Sequence, residues 1–425
     1  MKFLILVVSI LALSSCTSKF ENTVANAEDY NAYLSIDAPK TTSKYFELWQ
    51  KKIRPDSTQL TSFGIVAGEY TKYFKRTGAI SFLKKAEQSL RKAVAIAATG
   101  KEGYARALAR NYISQHRFKE ALSMATMART LGGGLQESQK LLFDVHMELG
   151  NYTSAKKYLD SVKNVSDFGY LIRASKWNDY KGDLPTTIKF MERAKEKAIA
   201  AKNNELKLWS YTNLADYYGH AGRIQEAYDH YLKALKIDAL NAYAKRGIAW
   251  IAFSHDKNPK EALRILETIT ENYKAPDYDL FKAEIAEFMG QEDIKAMHIA
   301  DYFEKIKNPH YGTMYHGYSI PLYLENPKTY SRALELAKEE VANRPTPESY
   351  SWLAYSYLKQ GDKHQAKEII DSHVIGKTHE PVMLFHTAQV YKAHGDLEKV
   401  HLLKEELADA FFEVGPAMER EILAL

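Results

Sequence analysis

Residues 208–241 read LWSYTNLADYYGHAGRIQEAYDHYLKALKIDALN. Small and apolar residues recur in this stretch at the spacing of two helix faces, on either side of a glycine: Leu214, Ala215, Tyr218, Ala227, Tyr231 and Ala234. The alanines would let the two helices approach closely, and the tyrosines would fill the space beside them. Gly222, between the two runs, predicts a helix stop with a left-handed backbone.

The same pattern recurs along the chain with a period of 34 residues. Gly361 and Gly395 are 34 positions apart, and so are Ala121 and Ala155. One helix pair cannot bury its apolar face alone, so neighbouring pairs must stack on one another. The period predicts nine units, at 102–135, 136–167, 168–203, 208–241, 242–275, 276–307, 310–346, 347–380 and 381–414.

The unit at 208–241 resembles a tetratricopeptide repeat, with Leu and a small residue early, Tyr four positions later, Gly in the turn, and then Ala, an aromatic residue and Ala. The resemblance implies an all-α protein, an α-solenoid of about ten tetratricopeptide-like helix pairs that form a right-handed superhelix. The array is predicted over 43–425. It would contain an irregular first pair at 57–100, the repeats at 102–414 and a capping helix at 411–425.

The N-terminus has the composition of a secretory signal. The apolar run Phe3–Leu13 follows a lysine and is too short to cross a bilayer core, which needs about 20 residues. The run ends in Leu13-Ser14-Ser15-Cys16, which resembles a bacterial lipobox, and Cys16 is the one cysteine of the chain. The resemblance implies removal of residues 1–15 and lipidation of Cys16. The alternative is a plain secretory signal with an incidental cysteine.

A lipidated Cys16 would anchor the chain in the bacterial cell envelope. Residues 16–42 are polar and without helical periodicity, apart from a possible short helix at 30–34, which predicts a flexible tether. No aspartate follows Cys16, and in lipoproteins of the enteric type this favours the outer membrane; the leaflet stays open.

Composition and motifs exclude several classes of function. Lys and Arg number 58 and Asp and Glu 53, a small excess that argues against a nucleic-acid binder. A single cysteine excludes an intramolecular disulfide and a zinc cluster built from cysteines. The sequence contains no phosphate-binding loop, dinucleotide-binding fingerprint, serine nucleophile elbow or His-Glu-x-x-His motif. We therefore predict no enzyme activity, no cofactor and no metal site.

The resemblance places the working surface on the concave side of the array, lined by the first helix of each unit. The inward positions of two central units carry aromatic and basic residues: Trp209, Tyr243, Arg246, Trp250 and Phe253. Such side chains predominate in binding hot spots, so we predict that they bind a partner. The alternative is that one or two of the aromatic residues pack between repeats.

The equivalent positions nearer the N-terminus are cationic. Arg106, Arg110 and Lys140 would lie along the same groove and could receive an acidic peptide or an anionic head group. Some tetratricopeptide domains hold a terminal carboxylate with Lys and Asn at two of these positions; the Asn is absent here, so that role does not carry over. The alternative is a solvated charged face.

Two functions fit these observations. The first is a membrane-anchored scaffold that binds a protein or peptide partner in its concave groove. The alternative is a lipoprotein that captures a glycan or a peptide for an outer-membrane transporter. The even array argues against the second, since capture proteins usually carry long insertions between helices.

Overall fold

The computed structural model describes residues 23–38, 40–54, 56 and 58–425. The signal segment 1–15 and Cys16 lie outside the described residues. Within the described ranges the chain forms helices and no strand. The α-helices are α1 (Ala27–Leu34), α2 (Lys44–Gln50), α3 (Leu60–Thr77), α4 (Ile80–Ile96), α5 (Lys101–Ser114), α6 (Phe118–Leu131), α7 (Leu135–Glu148), α8 (Tyr152–Ser161), α9 (Phe168–Tyr180), α10 (Leu184–Ala200), α11 (Asn204–His220), α12 (Ile224–Ile237), α13 (Ala242–Trp250), α14 (Pro259–Asn272), α15 (Asp277–Phe288), α16 (Glu292–Ile306), α17 (His316–Tyr323), α18 (Tyr330–Asn343), α19 (Pro347–Lys359), α20 (Lys363–His373), α21 (Pro381–Ala393), α22 (Leu397–Ala408) and α23 (Phe411–Leu423).

Helices α3 to α22 pack as ten consecutive pairs. Each odd-numbered helix packs on the even-numbered helix that follows it, and each pair packs on the next pair along the chain. Between α16 and α17 side chains make the contact, as in the 2.8 Å hydrogen bond between Tyr302 and Ser319. This arrangement confirms the all-α class and the α-solenoid of about ten helix pairs that the resemblance implies. None of the helices in the described ranges is long and apolar enough to cross a bilayer.

The pair α11–α12 shows why the repeat sequence folds this way. The small and apolar residues predicted to share faces are buried: Leu214, Ala215, Tyr218, Ala227, Tyr231 and Ala234. Gly222 ends the turn with φ +69°, the left-handed backbone that its position predicts. The ring of Tyr231 packs on Gly247 of the next pair, where a Cβ would lie 2.2 Å from the ring, so no side chain fits at Gly247.

The pair α13–α14 contains one residue more than the repeat, and the structure shows how the extra residue is accommodated. Residues Ile251–His255 form a π-helical turn that continues α13. A π turn contains an additional residue, so positions beyond Ile251 are rotated relative to the repeat register. The pair α17–α18 is the other irregular one: α17 is only 8 residues long and follows a 3₁₀ turn at Pro309–Tyr311.

The superhelix closes on itself after just under six repeats. The backbone N–H of Lys274 donates to the carbonyl of Thr77 at 2.7 Å. The turn at Gly150 approaches the carbonyl of Pro345, which would lie 2.7 Å from a Cβ at position 150. These partners are 195 to 197 positions apart in sequence. The loops of the first pairs therefore contact the loops of the later pairs and enclose a channel lined by the odd-numbered helices.

The segment before the array is docked on its surface. The carboxylate of Asp256 accepts the backbone N–H groups of Val24 and Ala25 at 3.0 and 2.9 Å. Tyr30 of α1 is buried and donates its hydroxyl to Glu261 of α14 at 2.6 Å. The structure therefore contradicts a flexible tether for residues 24–34, whereas the possible short helix at 30–34 is present as part of α1. The low helical periodicity of this segment predicted a lack of structure, but the segment is stabilised by contacts with residues more than 200 positions away.

The C-terminal helix α23 turns back into the channel. It contacts α11, the π-helical turn, α15, α21 and α22, so it does more than cover the end of the last pair. Gly415 within it has φ +79° and ψ 169°, which kinks the helix where it passes Trp250. A helix is present over the predicted 411–425 stretch, but it occupies the channel interior.

Buried charge links the first two pairs. Glu87 of α4 is ion-paired with Lys84 at 2.7 Å and with Arg117 at 2.8 Å. Burial opposes ionisation of this carboxyl, but hydrogen bonds from the two cations and from Gln115 lower the pKa of Glu87 to about 2.

Candidate functional site

The channel side of α11, α13, α15 and α17, which we name the inner wall, carries three of the eight residues that the sequence predicts for binding: Trp209, Tyr243 and Arg246. Tyr243 is 50 % exposed, and its hydroxyl donates to Asp216 at 2.7 Å. Trp209 is 39 % exposed, and its ring meets Phe168 edge-on with centroids 6.0 Å apart. Both rings are thus open to the channel and already oriented by neighbours.

Arg246 is the cation of the inner wall. Its guanidinium carbon lies 5.6 Å from the centre of the Phe281 ring and 5.9 Å from that of Tyr278. Its Nε–H is shielded from water and has no acceptor among the residues that the structure describes. An enclosed guanidinium without an acceptor is costly, and its remaining N–H groups can serve a bound group.

Carboxylates of the inner wall engage tyrosines. Asp216 accepts the hydroxyls of Tyr231 and Tyr243 at 2.5 and 2.7 Å, yet burial raises its pKa. Glu284 of α15 has a pKa raised to about 7 by burial, against the opposing charge of Arg246. The wall therefore presents aromatic surface, one cation and carboxyls with altered acidity.

Trp250 and Phe253 are not open to the channel. The indole N–H of Trp250 donates to the carbonyl of Phe412 in α23 at 2.9 Å, and the hydroxyl of Ser254 donates to the same oxygen at 2.8 Å. Phe253 is fully buried and packs edge-on against Phe281. The prediction that Phe253 lines the groove is wrong, because the π-helical turn rotates it into the core.

The three cations predicted nearer the N-terminus do not form one free surface. Arg106 donates to the carbonyl of Gly133 at 2.6 Å, and Lys140 is buried between two carboxylates, Glu137 at 2.9 Å and Asp167 at 2.8 Å. Arg110 is exposed. Lys140 is thus a structural ion-pair residue, which contradicts its predicted binding role, and Arg110 is the one exposed residue of the three.

A cavity of about 560 Å³ continues the channel between α7, α9 and α11 on one side and the entrances of α19 and α21 on the other. Acidic side chains are frequent in its lining. Burial, together with the neighbouring carboxylates of Glu413 and Asp179, raises the pKa of Glu380 to about 7. Across the cavity Glu148 is paired with Lys176 at 2.7 Å.

Sequence reasoning missed the contribution of α23 and of Ser254. The repeat register places Ser254 at an inward position, but nothing local indicates that its partner is Phe412, 158 positions away. Glu413 faces the cavity from the same helix. In the described ranges no group of three or more His, Cys, Asp or Glu side chains is arranged to hold a metal ion.

One comparison with known proteins supports the repeat architecture. The family model described as tetratricopeptide repeat matches residues 210–239 and 347–371. No curated protein matches the sequence. Among solved structures, the crystal structure of a Rap protein complexed with competence and sporulation factor aligns with 62 % of this chain and 78 % of its own, at 13 % identity and a TM-score of 0.44. The matched segments coincide with α11–α12 and α19–α20, and repeats of this family are typical of protein-interaction scaffolds. The chain therefore contains tetratricopeptide repeats at these two segments.

Proposed function

We propose that this chain is a membrane-anchored scaffold of the bacterial cell envelope that binds a segment of a protein partner in its channel. The observation that carries the proposal is the seating of α23. The inner wall already holds a polypeptide there, through two hydrogen bonds to one carbonyl, that of Phe412. Aromatic rings with a few directed donors are the usual composition of a peptide-binding surface.

The partner segment would lie along the inner wall beside α23. Trp209 and Tyr243 offer exposed rings for its side chains, Arg246 offers donors, and the acidic cavity around Glu380 continues the path. Contacts between the loops of early and later pairs block access to the channel from the side. The partner segment would therefore enter along the channel axis. An extended chain or a single helix suits such an entrance better than a folded domain.

Site-specific photo-crosslinking tests the proposal in cells. A benzoylphenylalanine at position 243 should form discrete adducts with a partner protein. The same residue at position 402, where Leu402 is exposed on α22, should form none. Absence of an adduct at 243, or equal adducts at both positions, would rule out channel binding.

Membrane anchoring through Cys16 is part of the proposal and has its own test. Val24 is docked only eight residues after Cys16, and an extended chain spans at most about 3.6 Å per residue. A lipid on Cys16 would thus hold the face formed by α12 and α14 within about 30 Å of the bilayer. Metabolic labelling with a radioactive fatty acid should label wild type and leave Cys16→Ser unlabelled; labelling of both would refute the anchor.

The alternative is capture of a glycan or a peptide for an outer-membrane transporter. The exposed ring of Trp209 is the feature that favours it, since sugars stack on such rings. Titration with pooled oligosaccharides should then change tryptophan emission in wild type and much less in Trp209→Leu. An unchanged spectrum would leave the scaffold as the function.

A further inference from the structure

Helix α2 is held by one face and leaves the other exposed. Phe46 is buried between Tyr70 and Tyr73 of α3, with ring centroids 5.2 and 5.4 Å apart. On the opposite face Tyr45 is 52 % exposed and Leu48 is 55 % exposed. The short helix therefore presents an aromatic and an aliphatic side chain to the outside, while Phe46 packs on the array.

The exposed face of α2 is surrounded by cations. Five exposed basic residues lie between positions 40 and 54, and in this stretch the one acidic residue is Glu47: Lys40, Lys44, Lys51, Lys52 and Arg54. Within the described residues none of the five forms an ion pair with a carboxylate, and Lys52 lies over the ring of Trp49 at 4.0 Å. Unpaired cations around exposed aromatic and aliphatic side chains match the interface of an anionic bilayer.

The position of α2 in the fold agrees with such a surface. The end of α1, at Leu34, shares a small cavity with Arg76, which follows the α3 residues on which α2 packs. The C-terminal end of the docked segment and α2 therefore lie near each other, where the first pair meets α14. The other end of the segment, Val24, is bound to Asp256, and Cys16 lies eight positions before Val24 in the sequence.

We propose that the exposed face of α2, formed by Tyr45, Leu48 and the five cations around them, rests on an anionic lipid surface and orients the array against the membrane. The inference complements the lipid anchor of the proposed function, but it is testable without that lipid. The ring of Tyr45 and the side chain of Leu48 would enter the head-group region, while the cations contact lipid phosphates. Each cation near such a surface should increase the partition of the protein onto the membrane about fivefold.

Vesicle sedimentation of the Cys16→Ser protein, which has no lipid, tests the surface directly. It should bind vesicles of phosphatidylcholine with 30 % phosphatidylglycerol, bind pure phosphatidylcholine weakly, and be released by 0.5 M salt. Tyr45→Ser with Leu48→Ser should reduce binding about tenfold. Lys51→Gln with Lys52→Gln should reduce it about twentyfold.

Leu397→Ser with Leu402→Ser is the matched control. These leucines lie on the last pair and are at least as exposed as Tyr45 and Leu48, at 66 % and 58 %. The control should bind as the parent does. Equal binding to both vesicle types, or equal loss in the control, would overturn the proposal. If the α2 substitutions instead convert a dimer to a monomer and leave vesicle binding unchanged, the face is a protein contact and the proposal is wrong. The crosslinking result at position 243, which tests the proposed function, does not depend on either outcome.

Discussion

Glu284→Gln should stabilise the protein at alkaline pH and leave its stability unchanged in mild acid. Glu284 lies on the inner wall, close to α23: a Cβ at Gly415 would be 2.7 Å from its Oε1. Burial raises the pKa of Glu284 to about 7 from an ordinary value of 4.5, the carboxylate of Glu287 adds to the rise, and Arg246 opposes it. The folded protein therefore holds this proton to a higher pH than the unfolded chain does.

The sign and size of the effect follow from that difference. Between pH 4.5 and 7 the folded state binds more protons than the unfolded state, so stability falls as pH rises. Each pH unit between the two pKa values contributes about 1.4 kcal/mol, which gives an upper limit of about 3 kcal/mol above pH 7. Residual contact with channel water reduces this to about 1–2 kcal/mol. Glutamine has nearly the same shape and no charge, so it removes the penalty.

Urea unfolding followed by circular dichroism at 222 nm, at pH 5, 6, 7 and 8, measures the difference between variant and wild type. We expect Glu284→Gln to be more stable by about 1–2 kcal/mol at pH 8 and to match wild type near pH 5. Glu335→Gln, on an exposed carboxylate paired with Arg332 at 3.0 Å, controls for loss of a negative charge. A constant difference at every pH, or a less stable Glu284→Gln protein at pH 8, would refute the reasoning.

Three further changes test separate parts of the structure. Glu87→Gln should lower the free energy of unfolding by about 1–3 kcal/mol at pH 7, because the carboxylate, whose pKa in the folded protein is about 2, keeps its ion pairs at every pH above its unfolded pKa. This loss of stability, measured by urea unfolding, should vanish as the pH falls toward 2. A loss that persists at pH 2 would contradict the ion-paired state of Glu87. Tyr30→Phe should speed hydrogen exchange over 27–34 about fivefold through loss of the 2.6 Å hydrogen bond to Glu261, whereas unchanged exchange would show that packing alone holds α1. Trp250→Phe should speed exchange in α23 by removing the N–H that binds the Phe412 carbonyl, without altering α19; equal exchange in both proteins would place the seat of α23 elsewhere.

The repeat architecture was predictable because its determinants are local. Ala227 and Tyr231 lie four positions apart, and each repeat carries its own packing instructions within 34 residues. The docked N-terminal segment was not predictable in this way. Tyr30 and Glu261 are 231 positions apart, and no periodic pattern marks a segment that a single carboxylate and one buried ring hold in place.

The candidate site was predicted in part for the same reason. The helical register placed Tyr243 and Arg246 on the inner wall, where the structure has them. It misplaced Phe253, because one additional residue is absorbed as a π turn before the loop, which rotates the following side chains. The covering of Trp250 by α23 depends on the curvature of the whole superhelix, which no single repeat encodes.

Some charged groups of the channel are less completely paired than those of the outer helices. On the outer helices, neighbouring charges satisfy each other within one turn, as in the pairs Lys156–Asp160 at 2.6 Å and Lys399–Asp396 at 2.9 Å. Inside the channel, Arg246 keeps an N–H without an acceptor and Glu284 and Glu380 have a pKa near 7. A helix surface readily supplies a neighbour of opposite charge for each charged side chain. Partners for these three channel residues could therefore have been supplied by the same helices. Stability given up in this way is typical of a surface shaped for binding, and this is one reason why we propose that a partner binds in the channel.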